Sequence, residues 1–226
     1  MPTLVIANKL YSSWSLRPWI LMKQLGIGFD EVLIPLDLPT TKAEVLKHSP
    51  AGKVPILIDG DVTVWETIAI MEYLGDAHGA AVWPADVKAR ALARSISAEM
   101  HAGFSALRSA CPMNLGKKYR QRDRGEAVAR DAARFEGIVA QARGRFGQGG
   151  PFLFGAFSGA DAMFAPVVTR LDTYSIPIGD ETRAYVDAVL ALPSFREWLA
   201  AALKETWIVD HDEVDEEPIA NYRQAA

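Results

Sequence analysis

The chain has 226 residues, half of them apolar and 23% charged, enough to bury one large core or two smaller ones. Its formal net charge of −4, without a Lys/Arg block, argues against a nucleic-acid partner, and no apolar run is long enough for a membrane span. A single cysteine, Cys111, excludes an internal disulfide framework, and four histidines without ligand spacing or a CxxC pair give no expectation of a metal site. With no signal-peptide pattern at the N-terminus, the expected location is cytoplasmic.

Thr3 to Ala7 is an apolar run that reads as a strand. Trp19 to Leu25 is amphipathic and reads as a helix, stopped at Gly26. Val32-Leu33-Ile34 marks a second strand within Phe29 to Leu36, and Thr40 to His48 a short polar helix or loop. Val54 to Ile58 and Val62 to Trp65 flank Asp59-Gly60, a hairpin-turn dipeptide. Thr67 to Asp76 carries Ile68, Met71 and Leu74 near helical spacing. The order is β-α-β-α-β-β-α over residues 1–79, followed by a linker, 80–87, containing Trp83-Pro84.

Beyond the linker the strand signals largely stop. Lys88 to Arg108 reads as one long helix and Arg124 to Phe146 as another. Ser158-Gly159-Ala160-Asp161 has capping-box spacing, with Asp in place of Glu or Gln, and opens a helix carrying Phe164, Val167, Val168 and Leu171. Two further helices fall at Asp180 to Leu192 and Ser194 to Lys204, and a polar, acidic tail runs from Asp210. Residues 88–226 thus read as a helical domain with a polar tail after an α/β domain.

Three short segments carry chemistry. Ser12, Ser13, Ser15 and Arg17 stand where a strand passes into a helix, so hydroxyls and free backbone N–H groups gather at the positive helix end. Such a place can hold an anion, a thiolate included. In Lys53-Val54-Pro55, the proline suits a strand entry and leaves the Val54 peptide uncommitted, able to pair with an extended ligand. Glu66 and Thr67 open a helix, where Thr67 serves as an N-cap and Glu66 favours the dipole. The same pair can bind an amine through the carboxylate and a carboxylate through the hydroxyl and N–H.

Taken in register, Ser12-Ser13-Trp14-Ser15-Leu16-Arg17, Lys53-Val54-Pro55, Glu66 to Leu74 and the Ser158–Asp161 box resemble the cytosolic glutathione transferase superfamily over nearly the whole chain. The first motif is most similar to its serine-type, zeta-like members, except that Trp14 stands where the zeta class carries cysteine. That departure disfavours a zeta-type maleylacetoacetate isomerase. The resemblance implies a thioredoxin-like N-terminal domain, a helical C-terminal domain, a homodimer, glutathione as co-substrate and a small electrophile as second substrate. A detoxifying transferase is the leading expectation, with a non-catalytic glutathione- or ligand-binding protein as the alternative.

By that resemblance Ser12 donates to the glutathione sulfur, with Ser13 and Ser15 as alternatives. Val54 binds the cysteinyl backbone, Glu66 and Thr67 the γ-glutamyl end, and Lys53, Thr40 or Lys42 the glycyl carboxylate. A thiol of pKa about 8.5 is mostly protonated at neutral pH. Lowering it by ~1.5–2 units needs roughly 2–3 kcal/mol, within reach of one hydroxyl donor and a helix end. Along and just past the long helix from Lys88 to Arg108, Met100, His101, Phe104, Arg108 and Cys111 fall near one face, between the two domains. They read as a packed face, or as an electrophile pocket with a polar end at His101 and Arg108 and a roof at Trp14.

Overall fold

The computed structural model describes residues 1–223. Strand β1 (Thr3–Ile6) feeds helix α1 (Ser13–Gln24), which crosses over to β2 (Asp30–Leu33), parallel to β1 with Val5 beside Val32. Helix α2 (Thr41–Leu46) leads to β3 (Ile56–Asp59), antiparallel to β1 and joined through a tight turn to β4 (Val62–Trp65). Gly60 supplies the positive φ, 62°, that this turn requires. The sheet order is β2-β1-β3-β4, and α3 (Thr67–His78) follows. This is the thioredoxin-like βαβαββα arrangement.

The sheet divides its side chains with period two. Leu4, Ile6 and Leu57 face α1 and α3 and join the main core with Leu16, Ile20, Ile70 and Leu74. Val5 and Ile56 point the other way, onto Ile34 and Val45 of a small separate cluster.

The second region is built around α7 (Gly159–Thr173), whose residues are nearly all buried. Around it lie α4 (Val87–Ala102), α5 (Ser105–Ala110), α6 (Glu126–Phe146), α8 (Asp180–Leu190) and α9 (Pro193–Ala202). Asp161 closes the start of α7: its carboxylate accepts from the Ser158 N–H at 2.8 Å, the Ser158 hydroxyl at 3.0 Å and the Leu153 N–H at 3.0 Å. The two regions meet where Trp19 packs edge-on against Trp198, ring centroids 5.1 Å apart, and where Arg17 donates to the Met163 carbonyl.

Two departures from the sequence reading matter for function. The long helix expected over Lys88 to Arg108 is broken at Gly103 and Phe104. Gly103 is extended, and Phe104 has left-handed φ, 57°, so α5 leaves at a new angle. Left-handed backbone costs a non-glycine residue about 1–2 kcal/mol. Burying the Phe104 ring edge-on against Phe164 is worth about 1.5–3 kcal/mol, which offsets it. The shared face expected for Met100, His101, Phe104, Arg108 and Cys111 is therefore split: Met100, Phe104 and Cys111 are buried in the core, while His101 and Arg108 reach the cleft.

The tail is the second departure, because it is not a simple polar extension. A short 3₁₀ turn (Asp210–Asp212) leads back to β6 (Ala220–Asn221), which pairs with β5 (Lys117–Lys118) as a two-stranded ribbon in the otherwise helical region. Glu213 accepts from Tyr11, Lys117 and Asn114, and Arg124 binds Glu216 through both terminal nitrogens. Among the described residues, no helix is long and apolar enough to cross a membrane.

Candidate functional site

Two cavities open side by side between the α/β region and the helices, and Trp14 and Arg108 line both. The first, about 270 Å³, lies against Lys53, Val54, Glu66, Thr67 and His101. The second, about 420 Å³, lies against Ser12, Ser13, Arg170, His211 and Asp212. Seven of the residues singled out from sequence line the first cavity, counting Trp14 and Arg108. Ser12 and Ser13 line the second. Ser15 lines neither, being fully buried, and Thr40 and Lys42 lie on exposed surface at the start of α2, outside both.

In the first cavity, Val54 precedes β3, whose ladder begins at Ile56 opposite Trp65, so the Val54 peptide is outside the sheet hydrogen bonds. The Val54–Pro55 bond is cis. Thr67 is not the N-cap that its residue type suggests. Glu66 holds the cap position with φ 69° and ψ 127°, which makes Thr67 the first helical residue. Its hydroxyl is buried and has no hydrogen-bond partner among the described residues, and the same is true of His101 Nδ1. Unpartnered buried polar atoms are rare in folded proteins, and these two belong to residues that line one cavity, where a polar group could complete them. The first-turn N–H groups of α3, free of helical partners, lie beside them. The Glu66 carboxylate is half-exposed, 3.8 Å from His101 Nε2.

At the start of α1, Ser12 is the N-cap without a side-chain capping bond. The Ala7 N–H donates to Ser15 Oγ at 3.0 Å, and Ser15 Oγ lies 2.7 Å from Ser12 Oγ. When Ser15 donates to Ser12, the Ser12 proton is left to point into the cavity at the helix's positive end. Trp14 is clasped between guanidinium groups, with Arg17 at 4.1 Å and Arg108 at 5.1 Å from its ring centroid, and it meets His101 edge-on at 5.2 Å. Cys111 is buried, which pushes its thiol up to about 11, so it stays protonated and apart from the cleft.

The sequence reading did not single out Arg170, His211 or Asp212. Arg170 left one trace, an arginine inside the apolar stripe that follows the capping box. The other two enter the cavity only because the tail folds back.

A model for the glutathione S-transferase N-terminal domain matches residues 11–77, and one for the glutathione S-transferase C-terminal domain matches residues 125–201. A dichloromethane dehalogenase from Methylorubrum extorquens is 35% identical over 65 residues, 27% of this chain and 23% of the relative. A second dichloromethane dehalogenase, from Methylophilus leisingeri, is 39% identical over 59 residues, 25% of this chain and 22% of the relative. The chain thus spans only about a quarter of the length of these curated relatives. Among solved structures, a glutathione transferase homologue from Burkholderia gl BGR1, with bound glutathione, superposes with a TM-score of 0.65 at 24% identity, covering 89% of this chain and 97% of that one. At that identity the likeness speaks for the fold. With both domain models matched in order, over more than half its length, the chain belongs to the cytosolic glutathione S-transferase superfamily.

Proposed function

We propose that the chain is a glutathione transferase in which the first cavity holds glutathione and the second receives a small electrophile. The observation that carries this reading is the buried, unpartnered Thr67 hydroxyl at the open end of α3, beside the Glu66 carboxylate. Glutathione carries at one end both an amine and a carboxylate. Glu66 takes the amine, and the Thr67 hydroxyl with the α3 amides takes the carboxylate. The free Val54 peptide pairs with the cysteinyl backbone, and Lys53 faces the glycyl carboxylate. Glutathione-bound family members of the same fold, such as the Burkholderia homologue, support the co-substrate.

The sulfur then lies toward the start of α1. There the Ser12 hydroxyl, oriented by Ser15 and the Ala7 N–H, donates to it and favours thiolate over thiol. Serine here is a donor and keeps its own proton, so it needs no histidine or acid beside it. In solution the protein acts as a cytoplasmic homodimer, as the family resemblance implies.

The test is Ser12→Ala against Ser13→Ala, read by thiolate absorbance of bound glutathione across pH. Ser12→Ala should raise the bound thiol's pKa by about one to two units and cut turnover at neutral pH. Glutathione affinity should change much less. If Ser13→Ala abolishes the signal and Ser12→Ala does not, the donor is Ser13. If neither does, hydroxyl activation at this helix end is wrong.

A further inference from the structure

The second cavity is unusually cationic for a pocket that would receive an apolar molecule. Arg108 and Arg170 line it, and Arg17, itself fully buried and outside the lining, lies against the ring of Trp14, which does line it. None of the three pairs with a carboxylate among the described residues. Arg17 is fully buried and gives its donors to the Met163 and Ser13 carbonyls and to Met100 Sδ. Arg170, also buried, donates Nε to the Cys111 carbonyl and Nη1 to the Pro166 carbonyl, and Nη2 has no acceptor among the described residues. Arg108 makes one long contact, 3.4 Å, to the Gly103 carbonyl.

The facing acids do not balance them. Asp212 lines the cavity, with His211 Nε2 at 3.8 Å, while His211 Nδ1 is held by Asp37 at 2.9 Å. One carboxylate, Asp212, thus lines the cavity with two arginines, and Asp37 reaches it only through His211. The mutual burial of the three arginines has a visible effect. Desolvation, then the charges of Arg170 and Arg108, weaken the hold of Arg17 on its proton, and desolvation with Arg108 brings Arg170 down to about 10. Apart from Leu36 and the Trp14 ring, the remaining wall is mostly hydroxyls, Ser12, Ser13, Ser105 and Ser109 among them. An apolar electrophile would find little to bury there and would leave the cations unpaired.

We propose that this cavity takes an electrophile bearing a carboxylate, which Arg170 Nη2 and Arg108 bind while its reactive carbon faces the Ser12 side. The proposal rests on the transferase reading above, since it makes this cavity the second-substrate pocket. A planar guanidinium suits a carboxylate better than a point cation does, because two parallel N–H donors meet its two oxygens.

The test compares stable conjugates by calorimetry on the intact protein. S-alkylglutathiones are matched in chain length with S-(ω-carboxyalkyl)glutathiones of one to three methylenes, and glutathione itself is the reference. At one chain length or more, the carboxylated conjugate should bind at least tenfold tighter than its alkyl match. Arg170→Gln should remove that preference, and if this buried variant does not fold, Arg108→Gln should reduce it. Glutathione that binds normally, with carboxylated conjugates no tighter than alkyl ones at every length, overturns the carboxylate pocket and leaves the transferase reading standing. Failure of glutathione and of all conjugates to bind overturns both.

Discussion

Glu66 sits in a backbone region that side chains rarely occupy, φ 69° and ψ 127°. Such a conformation costs of order 1–3 kcal/mol and persists only where the surroundings impose it. Here it lets β4 turn sharply into α3, so that the carboxylate, the Thr67 hydroxyl and the helix amides reach one cavity. Replacing Glu66 with glycine removes both the strain and the carboxylate. Glu66→Gly should therefore raise thermal stability by roughly 0.5–1 kcal/mol or more while weakening glutathione binding by about 1.5–3 kcal/mol. Parallel thermal melts and calorimetry check both signs, and a fall in both quantities would contradict the strain argument. The residue types of this site were legible from sequence, as was the strand-to-helix setting of Ser12. Which atoms stay unpartnered was not, because satisfaction depends on every neighbour. Ser15 shows the point: it has the same chemistry as Ser12, yet the Ala7 N–H turns it inward.

At the scale of elements, Asp161 illustrates a local signal with a tertiary consequence. The capping-box spacing is visible in the sequence, whereas the Leu153 N–H that shares the carboxylate comes from the preceding loop. Asp161→Ala strands those donors and should destabilise the fold by about 2–3 kcal/mol without touching the cleft. Burial also sets a pH dependence, since it pushes the carboxyl up to about 6 despite its three donors. The folded state therefore binds a proton more readily than the unfolded one. The resulting stabilisation is fully present below about pH 4 and is lost as pH rises through about 6. Denaturant titrations should show the protein gaining stability over Asp161→Asn between pH 6 and 4, and a gap that is flat or widens upward would contradict the buried-acid account. The break between α4 and α5 marks the opposite limit. Residues 88–108 have helical composition except at Gly103, where a side chain would press on the Glu99 carbonyl at 2.9 Å, and the pocket for Phe104 beside Phe164 makes the kink favourable.

Across the whole molecule, the tail ties the two regions together. Glu213 receives Tyr11 from the loop before α1 and Lys117 and Asn114 from before α6, joining three distant parts of the chain. Burial alone would raise its pKa, but these donors outweigh that and hold it below the usual carboxylate range. Glu213→Gln should cost about 1–3 kcal/mol, a fall of several degrees in melting temperature. A melt unchanged from the parent would show that the tail only rests on the surface. The sequence by itself determined the order of strands and helices in the first region, the α/β-then-helical division and the identity of the motif residues, because those follow from hydrophobic period, turn chemistry and helix ends, which are local. Only the tertiary structure decided that the cleft has two chambers parted by Trp14 and Arg108, and that the tail carries His211 and Asp212 into one of them. It also decided that Arg108 and Arg170 line that chamber with Asp212, while Arg17 is buried behind the Trp14 ring. Those outcomes depend on contacts between residues up to about two hundred positions apart, and no local pattern encodes them.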